Sequence, residues 1–279
     1  MEEIVIMDFS GIYEDEQFWR EEKVSWIDLK GISGTNCYCD EAARSQILEK
    51  LDQFLPGRIY FIDSGNYHYM SRIGIERVTQ PFRLLVFDNH TDMQLPAFGG
   101  LLSCGGWIAS AIEESQNLAE VWLVGPDEEA YSQVEASLKN KVRFFSREML
   151  QAMRENSETC KEDTIEVEKS GKELCCKFLC QLPTDLPLYI SIDKDILCVA
   201  DASTTWSQGD MTLKEMLAAL EIVTDHFRKQ GGQLLQVDIC GECDPDTAAD
   251  NRKNDLANRE LLKFWKNCFA EQKERGALL

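Results

Sequence analysis

Positive charge is in short supply in this chain. Its 279 residues carry 29 Lys and Arg against 49 Asp and Glu, a net charge of −20. Such a surface repels phosphate backbones and anionic lipid headgroups, so neither nucleic acid nor a membrane is an expected partner. Long hydrophobic runs are missing too. No stretch approaches the ~18 apolar residues of a spanning helix. The first residues, MEEIVIMDFS, lack the basic start and long apolar middle of a secretory signal, so a soluble, cytoplasmic protein is expected. There is no G-x-G-x-x-G, no Walker-type phosphate loop and no G-x-S-x-G elbow, which removes the usual signatures of dinucleotide binding, P-loop chemistry and serine hydrolysis. The eleven cysteines are odd in number and irregularly spaced. In a reducing compartment they are expected as free thiols packed like small apolar side chains. Cys240-Gly241-Glu242-Cys243 is a C-x-x-C, but Cys37-x-Cys39 has the wrong spacing to supply a second zinc pair.

What is present is a core. The hydrophobic fraction is 44%, so the acidity does not signal disorder. Short apolar runs recur at Glu3–Met7, Arg58–Ile62, Arg83–Phe87, Glu120–Val124, Val142–Phe145, Leu188–Ile192 and Gln233–Val237. Several are apolar without alternation, as in strands covered on both faces. Helical patterns lie between them, at Glu41–Phe54, at Cys104–Glu114 and from Thr212 onward. Thr212 and Glu215 form a capping box, and Gly231-Gly232 ends that helix. Strands alternating with helices predict an α/β fold with a mainly parallel central sheet. The polar segment 154–177 interrupts the rhythm and reads as an insertion within a single domain spanning 1–279.

Ligands of a parallel sheet bind beyond the carboxyl ends of its strands, so the residues that follow each apolar run are the informative ones. Asp88-Asn89-His90-Thr91-Asp92 follows one run, Asp193-Lys194-Asp195 another, and Asp63-Ser64-Gly65-Asn66-Tyr67-His68-Tyr69 a third. In extended backbone, residues i, i+2 and i+4 share a face, so Asp88, His90 and Asp92 should converge, as should Asp193 and Asp195. Of the three histidines, two sit in these segments, and the third, His226, falls late in the Thr212 helix. Crowded carboxylates need a positive partner. Carboxylate and imidazole ligands without thiolate suit manganese, with magnesium, iron or zinc as alternatives. Four aspartates and two histidines can hold two such ions roughly 3.5–4 Å apart.

These motifs resemble those of the arginase/agmatinase (ureohydrolase) superfamily, in a divergent branch. Gly65-Asn66-Tyr67-His68 matches its G-G-D-H, Asp88–Asp92 its D-A-H-x-D, and Ser191-Ile192-Asp193-Lys194-Asp195 with Asp201 its S-x-D-x-D-x-x-D-P. The resemblance runs from Arg58 to Pro245. It implies a three-layer α/β/α fold with a sheet of about eight strands. It also implies a binuclear Mn2+ centre held by His68, Asp88, His90, Asp92, Asp193 and Asp195. A metal-bridging hydroxide, contacted by Asp92, would then attack a guanidino carbon and release urea. The substrate would be free or peptide-borne and arginine-like. Glu242, in Glu242-Cys243-Asp244-Pro245, matches the glutamate that pairs with the guanidinium, with Asp238 as the rival. Trp206 falls in the family's glycine loop and would wall the pocket. Two departures stand out: Tyr67 replaces the aspartate before the first histidine, and Cys104 stands where the family has its proton-transfer histidine. Cys104 is therefore the candidate proton carrier. Two alternatives stay open at this point, a same-fold amidohydrolase or deacetylase and a metal-binding protein that has lost catalysis. A homo-oligomer is compatible with either.

Overall fold

The apolar runs become short parallel strands, and those at the middle of the sheet are buried on both faces. The computed structural model describes residues 4–54, 58–95, 100–158, 178–243, 245 and 251–277. In chain order the strands are β1 (Ile4–Asp8), β2 (Val24–Asp28), β3 (Tyr38–Cys39), β4 (Ile59–Ser64), β5 (Phe82–Phe87), β6 (Leu102–Ser103), β7 (Leu118–Val124), β8 (Val142–Phe145), β9 (Leu188–Asp193) and β10 (Leu234–Glu242). Eight of them form one sheet in the order β2-β1-β4-β10-β9-β5-β7-β8. Every neighbouring pair in it is parallel. β3 and β6 form a small antiparallel pair apart from it.

The helices are α1 (Glu41–Leu51), α2 (Met70–Glu76), α3 (Trp107–Glu114), α4 (Glu128–Ser132), α5 (Ala136–Lys139), α6 (Arg147–Glu158), α7 (Leu213–Gln230) and α8 (Asn251–Ala277). They divide between the two faces. Ile4 and Ile6 of β1 pack with α7 and α8 through Met216, Leu220, Phe227, Leu261 and Trp265. Val5 and Met7, the alternate residues of the same strand, pack with α1, α2 and α3 through Ile47, Ile73 and Trp107. This is the three-layer α/β/α arrangement. At the start of α7, the Thr212 hydroxyl accepts from Glu215 N at 3.2 Å and the Glu215 carboxylate accepts from Thr212 N at 2.7 Å. Gly231, at φ 74°, closes the same helix in the left-handed conformation that glycine tolerates.

The structure departs from the sequence reading in several places. β2 was not expected. It is an edge strand whose burial is only partial, so it lacks the continuous apolar run that marks a central strand. β10 runs on through Asp238 to Glu242, well past the expected end at Val237, and both acids lie inside the strand rather than beyond it. Helix α1 stops at Leu51, short of Phe54. A 3-10 turn, Cys104–Gly106, precedes α3. The expected insertion over 154–177 falls mostly outside the described residues. Among the described residues, no helix is long and apolar enough to cross a membrane.

Candidate metal centre

The segments that carry the expected ligands follow β4, β5 and β9, and β10 lies between β4 and β9. These four strands are consecutive at the middle of the sheet, so residues more than a hundred positions apart meet at one place. All six expected metal ligands are brought together. His68 Nδ1 lies 3.1 Å from Asp92 Oδ2, 3.4 Å from Asp88 Oδ2 and 3.4 Å from Asp193 Oδ2. His90 Nδ1 lies 2.8 Å from Asp195 Oδ2 and 3.6 Å from Asp88 Oδ1. Asp88 thus offers one oxygen to each histidine and joins two groups of donors. His68, Asp88 and Asp92 form one compact set, and Asp88, His90 and Asp195 another.

Convergence is achieved by turns, not by the extended backbone the alternation argument assumed. The Asp88 carboxylate accepts from His90 N at 2.6 Å, folding the chain back as it leaves β5. Asp92 then takes a left-handed φ of 47°, a conformation non-glycine residues rarely adopt except under constraint. The Asp193 carboxylate accepts from Asp195 N at 2.9 Å in a 3-10 turn.

The histidines are oriented for ligation. His68 Nε2 meets Ser191 Oγ at 2.9 Å. The Ser191 hydroxyl has one proton, and it donates that to Asp238 Oδ1 at 2.6 Å. Ser191 must therefore accept from His68 Nε2–H, which leaves the Nδ1 lone pair aimed at the carboxylates. His68 Nδ1 and Asp88 Oδ2 are both buried with no hydrogen-bond partner. Two such atoms facing one another are what a cation, or a proton in its place, would satisfy. The donor chemistry therefore fits divalent metal, with no further group needed. His90 follows the same plan, with Nε2 on Ser207 Oγ at 2.9 Å.

The electrostatics agree. Without metal, protons stand in for the cations. Burial opposes an imidazolium at His90, yet the hydrogen bonds and charges of Asp195 and Asp88 raise it to about 11. Burial and the Asp88 charge push Asp92 up to about 7. Burial and neighbouring charge also raise Asp193 and Asp195. Asp88 goes the other way: burial is outweighed by the two histidines, which hold it below the usual carboxylate range.

Residues 67–264 match the arginase family, and that span holds every ligand just described. The chain belongs to the arginase family. It is 28% identical over 261 residues to an uncharacterised protein of Thermotoga maritima, covering 93% of this chain and 88% of the other. The fold is shared with formimidoylglutamase from Bacillus subtilis at a TM-score of 0.61 and 16% identity, over 94% of this chain and 86% of that one. Arginase from Bacillus caldovelox superposes at 0.58 with 15% identity, over 93% and 96%. These likenesses show the fold alone.

Within this family fold, the remaining expected residues have other duties. Glu242 is not set toward the metal ligands. It is fully buried, and its Oε1 accepts from Lys194 Nζ and from Asn258 Nδ2. Asp238 accepts from Tyr189 and Ser191 and acts behind His68. The β10 side chain that does face the centre is Cys240, whose Sγ lies 3.2 Å from Asp193 Oδ2. Cys243 points elsewhere, to Asn251, so the C-x-x-C holds no metal pair. Cys104 is buried beside Asp92, and burial and that charge raise it to about 12. Tyr67 stacks on Phe9 at 4.1 Å, away from the ligands. Asp201 accepts from Leu213 N at the start of α7, and His226 meets the Leu182 carbonyl at 3.0 Å, so both are structural.

Sequence reasoning assigned no role to Ser207 or Trp107, and quoted Ser191 only as the start of a motif. The Trp107 indole donates to Asp92 Oδ2 at 2.7 Å and its ring packs against His68. A signal for Ser191 existed. It lies two residues before Asp193 on a strand, hence on the same face as that ligand. Replacing Ser191 with alanine is expected to lower metal affinity by about 10–100-fold with little change in fold, as read by manganese titration. An unchanged affinity would remove Ser191 from the site.

Proposed function

We propose that this chain is a manganese-dependent hydrolase of C–N bonds, with a binuclear centre acting on the guanidino group of a free or peptide-borne arginine-like substrate and releasing urea. The observation that supports it best is Asp88, which divides its two oxygens between His68 and His90 while both rings turn Nδ1 inward. His68, Asp88, Asp92 and Asp193 would hold one ion, and Asp88, His90 and Asp195 the other. Bound there, the metals would supply Lewis-acid polarisation and an activated water. The chain's own residues do the rest. Trp107 fixes Asp92, the carboxylate we assign to receive the proton of the attacking water. Ser191 and Ser207 fix the two imidazoles. His90, the more exposed of the two, marks the side from which substrate enters. A reducing, cytoplasmic setting belongs to the same reading.

The test is manganese content of the purified chain, with urea release from a panel of guanidino compounds and acyl release from matching amides. Two ions per chain and urea release are expected. Loading must expel protons from His90 and Asp92, so affinity should rise as pH increases from about 6 to 8. Fewer than one tightly bound ion, or acyl release alone, would overturn the guanidino assignment.

A further inference from the structure

With Glu242 and Asp238 both turned inward, β10 offers a guanidinium no carboxylate among the described residues. At the facing position stands the Cys240 thiol. The next residue, Gly241, is at φ 91°, and a Cβ there would lie 2.4 Å from Asp193 Oδ1, so no side chain fits. The four aspartates at the centre are committed to the ligand cluster. Beside it sits an aromatic ring that is unusually exposed for its setting. Trp206 is 41% exposed, yet it is held on several sides. Its Nε1 donates to Asn66 Oδ1 at 2.9 Å, and Asn66 in turn donates to Asn36 Oδ1 at 2.9 Å. Its ring meets His90 edge-on at 6.0 Å between centroids. A Cβ on Gly65 would lie 2.8 Å from Trp206 Cδ1 and 3.1 Å from Asp193 Oδ2, so the missing side chain of Gly65 lets the indole close on a ligand aspartate.

We propose that the exposed face of Trp206 seats the planar cation of the substrate, in the role a carboxylate would otherwise play. This rests on the guanidino reading above. A guanidinium is flat, weakly hydrated and well matched to stacking on an indole, the strongest of the aromatic faces for a cation. The Asn36–Asn66 amide chain holds the indole by its N–H, leaving the ring face free to take the cation. The same ring selects against a neutral amide, which gains no charge–quadrupole attraction from it.

The test uses the full-length, manganese-loaded chain and two probes of like shape, methylguanidinium and N-methylurea, titrated by calorimetry. Wild type should bind methylguanidinium at least about tenfold more tightly than N-methylurea. Trp206→Leu should lose that preference at unchanged manganese content, and Trp206→Phe should keep part of it. Equal binding of the two probes by wild type overturns the proposal, as does a Trp206→Leu chain that keeps the preference. Metal content and product release judge the hydrolase reading separately. A chain that holds two ions and hydrolyses amides but does not discriminate between the probes keeps its metal chemistry and loses the cation seat.

Discussion

Asp88→Asn should empty both metal positions at once, whereas Asp193→Asn should weaken metal binding but leave the metal-free protein more stable than wild type. The two substitutions are isosteric and remove one charge each from the same cluster, yet their surroundings differ in sign. Asp88 is held below the usual carboxylate range because His68 and His90 both face it. Its charge therefore stabilises the metal-free fold above about pH 4, a contribution lost as pH falls through its lowered value. Asp193 is raised, by burial first and by the Asp88 charge second. Ionising it costs stability as pH rises from about 4 through its raised value. Asparagine at 193 relieves that cost, and asparagine at 88 forfeits a gain. Metal reverses the comparison for Asp193, because the cations then require its charge. For Asp88 the loss in affinity should exceed the 10–100-fold typical of an outer partner, since it serves both histidines. Metal content and thermal midpoints with and without manganese test both statements. An Asp193→Asn chain less stable than wild type when metal-free would falsify the like-charge argument.

The second large effect concerns stability alone. Lys194→Met should destabilise the fold by about 3–5 kcal/mol, the usual cost of leaving one partner of a buried ion pair alone. Lys194 and Glu242 are both fully buried and joined to one another, with Asn258 donating to the same Glu242 oxygen. Glu16, also buried, is raised by burial and by the Glu242 charge, and Asn258 donates to it as well as to Glu242. The double replacement Lys194→Met with Glu242→Gln should recover much of the loss, because neither partner of the buried pair is then left alone. Urea denaturation of the metal-free chains measures both. A single replacement costing under about 1 kcal/mol, the scale of exposed pairs, would show that the network admits water.

Most of the fold was legible because a parallel sheet writes itself in apolar runs. RLLVF and LYISI become β5 and β9 with shifts of a residue at their ends. β2 escaped because an edge strand needs no second apolar face. The true length of β10 escaped for a subtler reason. Asp238 and Glu242 look like loop residues, and only their partners, Tyr189 and Ser191 for one and Lys194 and Asn258 for the other, let them lie inside a strand. The same cause misdirected the substrate carboxylate. A motif names the residue type but not the side of the strand it faces, and Gly241, at positive φ, stands between Cys240, which faces the centre, and Glu242, which does not. The convergence of the six candidate ligands was legible since their residue types and spacing are demanding, although turns rather than extended backbone bring them together.

The position of β10 has one more consequence, for the order in which the molecule is made. β10 is the last strand in the chain, and it lies between β4 and β9 in the middle of the sheet. A growing polypeptide that has not yet emitted residue 234 has every metal ligand already synthesised, yet β4 and β9 lack the neighbour that holds them side by side. β10 is the strand that spaces the β4 and β9 segments carrying His68 and Asp193. Such late, long-range closure is slow on the scale of helix formation. On the proposed metal reading, it leaves these acid-rich loops open to stray cations during synthesis and makes uptake of the correct ions a late event in the birth of the protein.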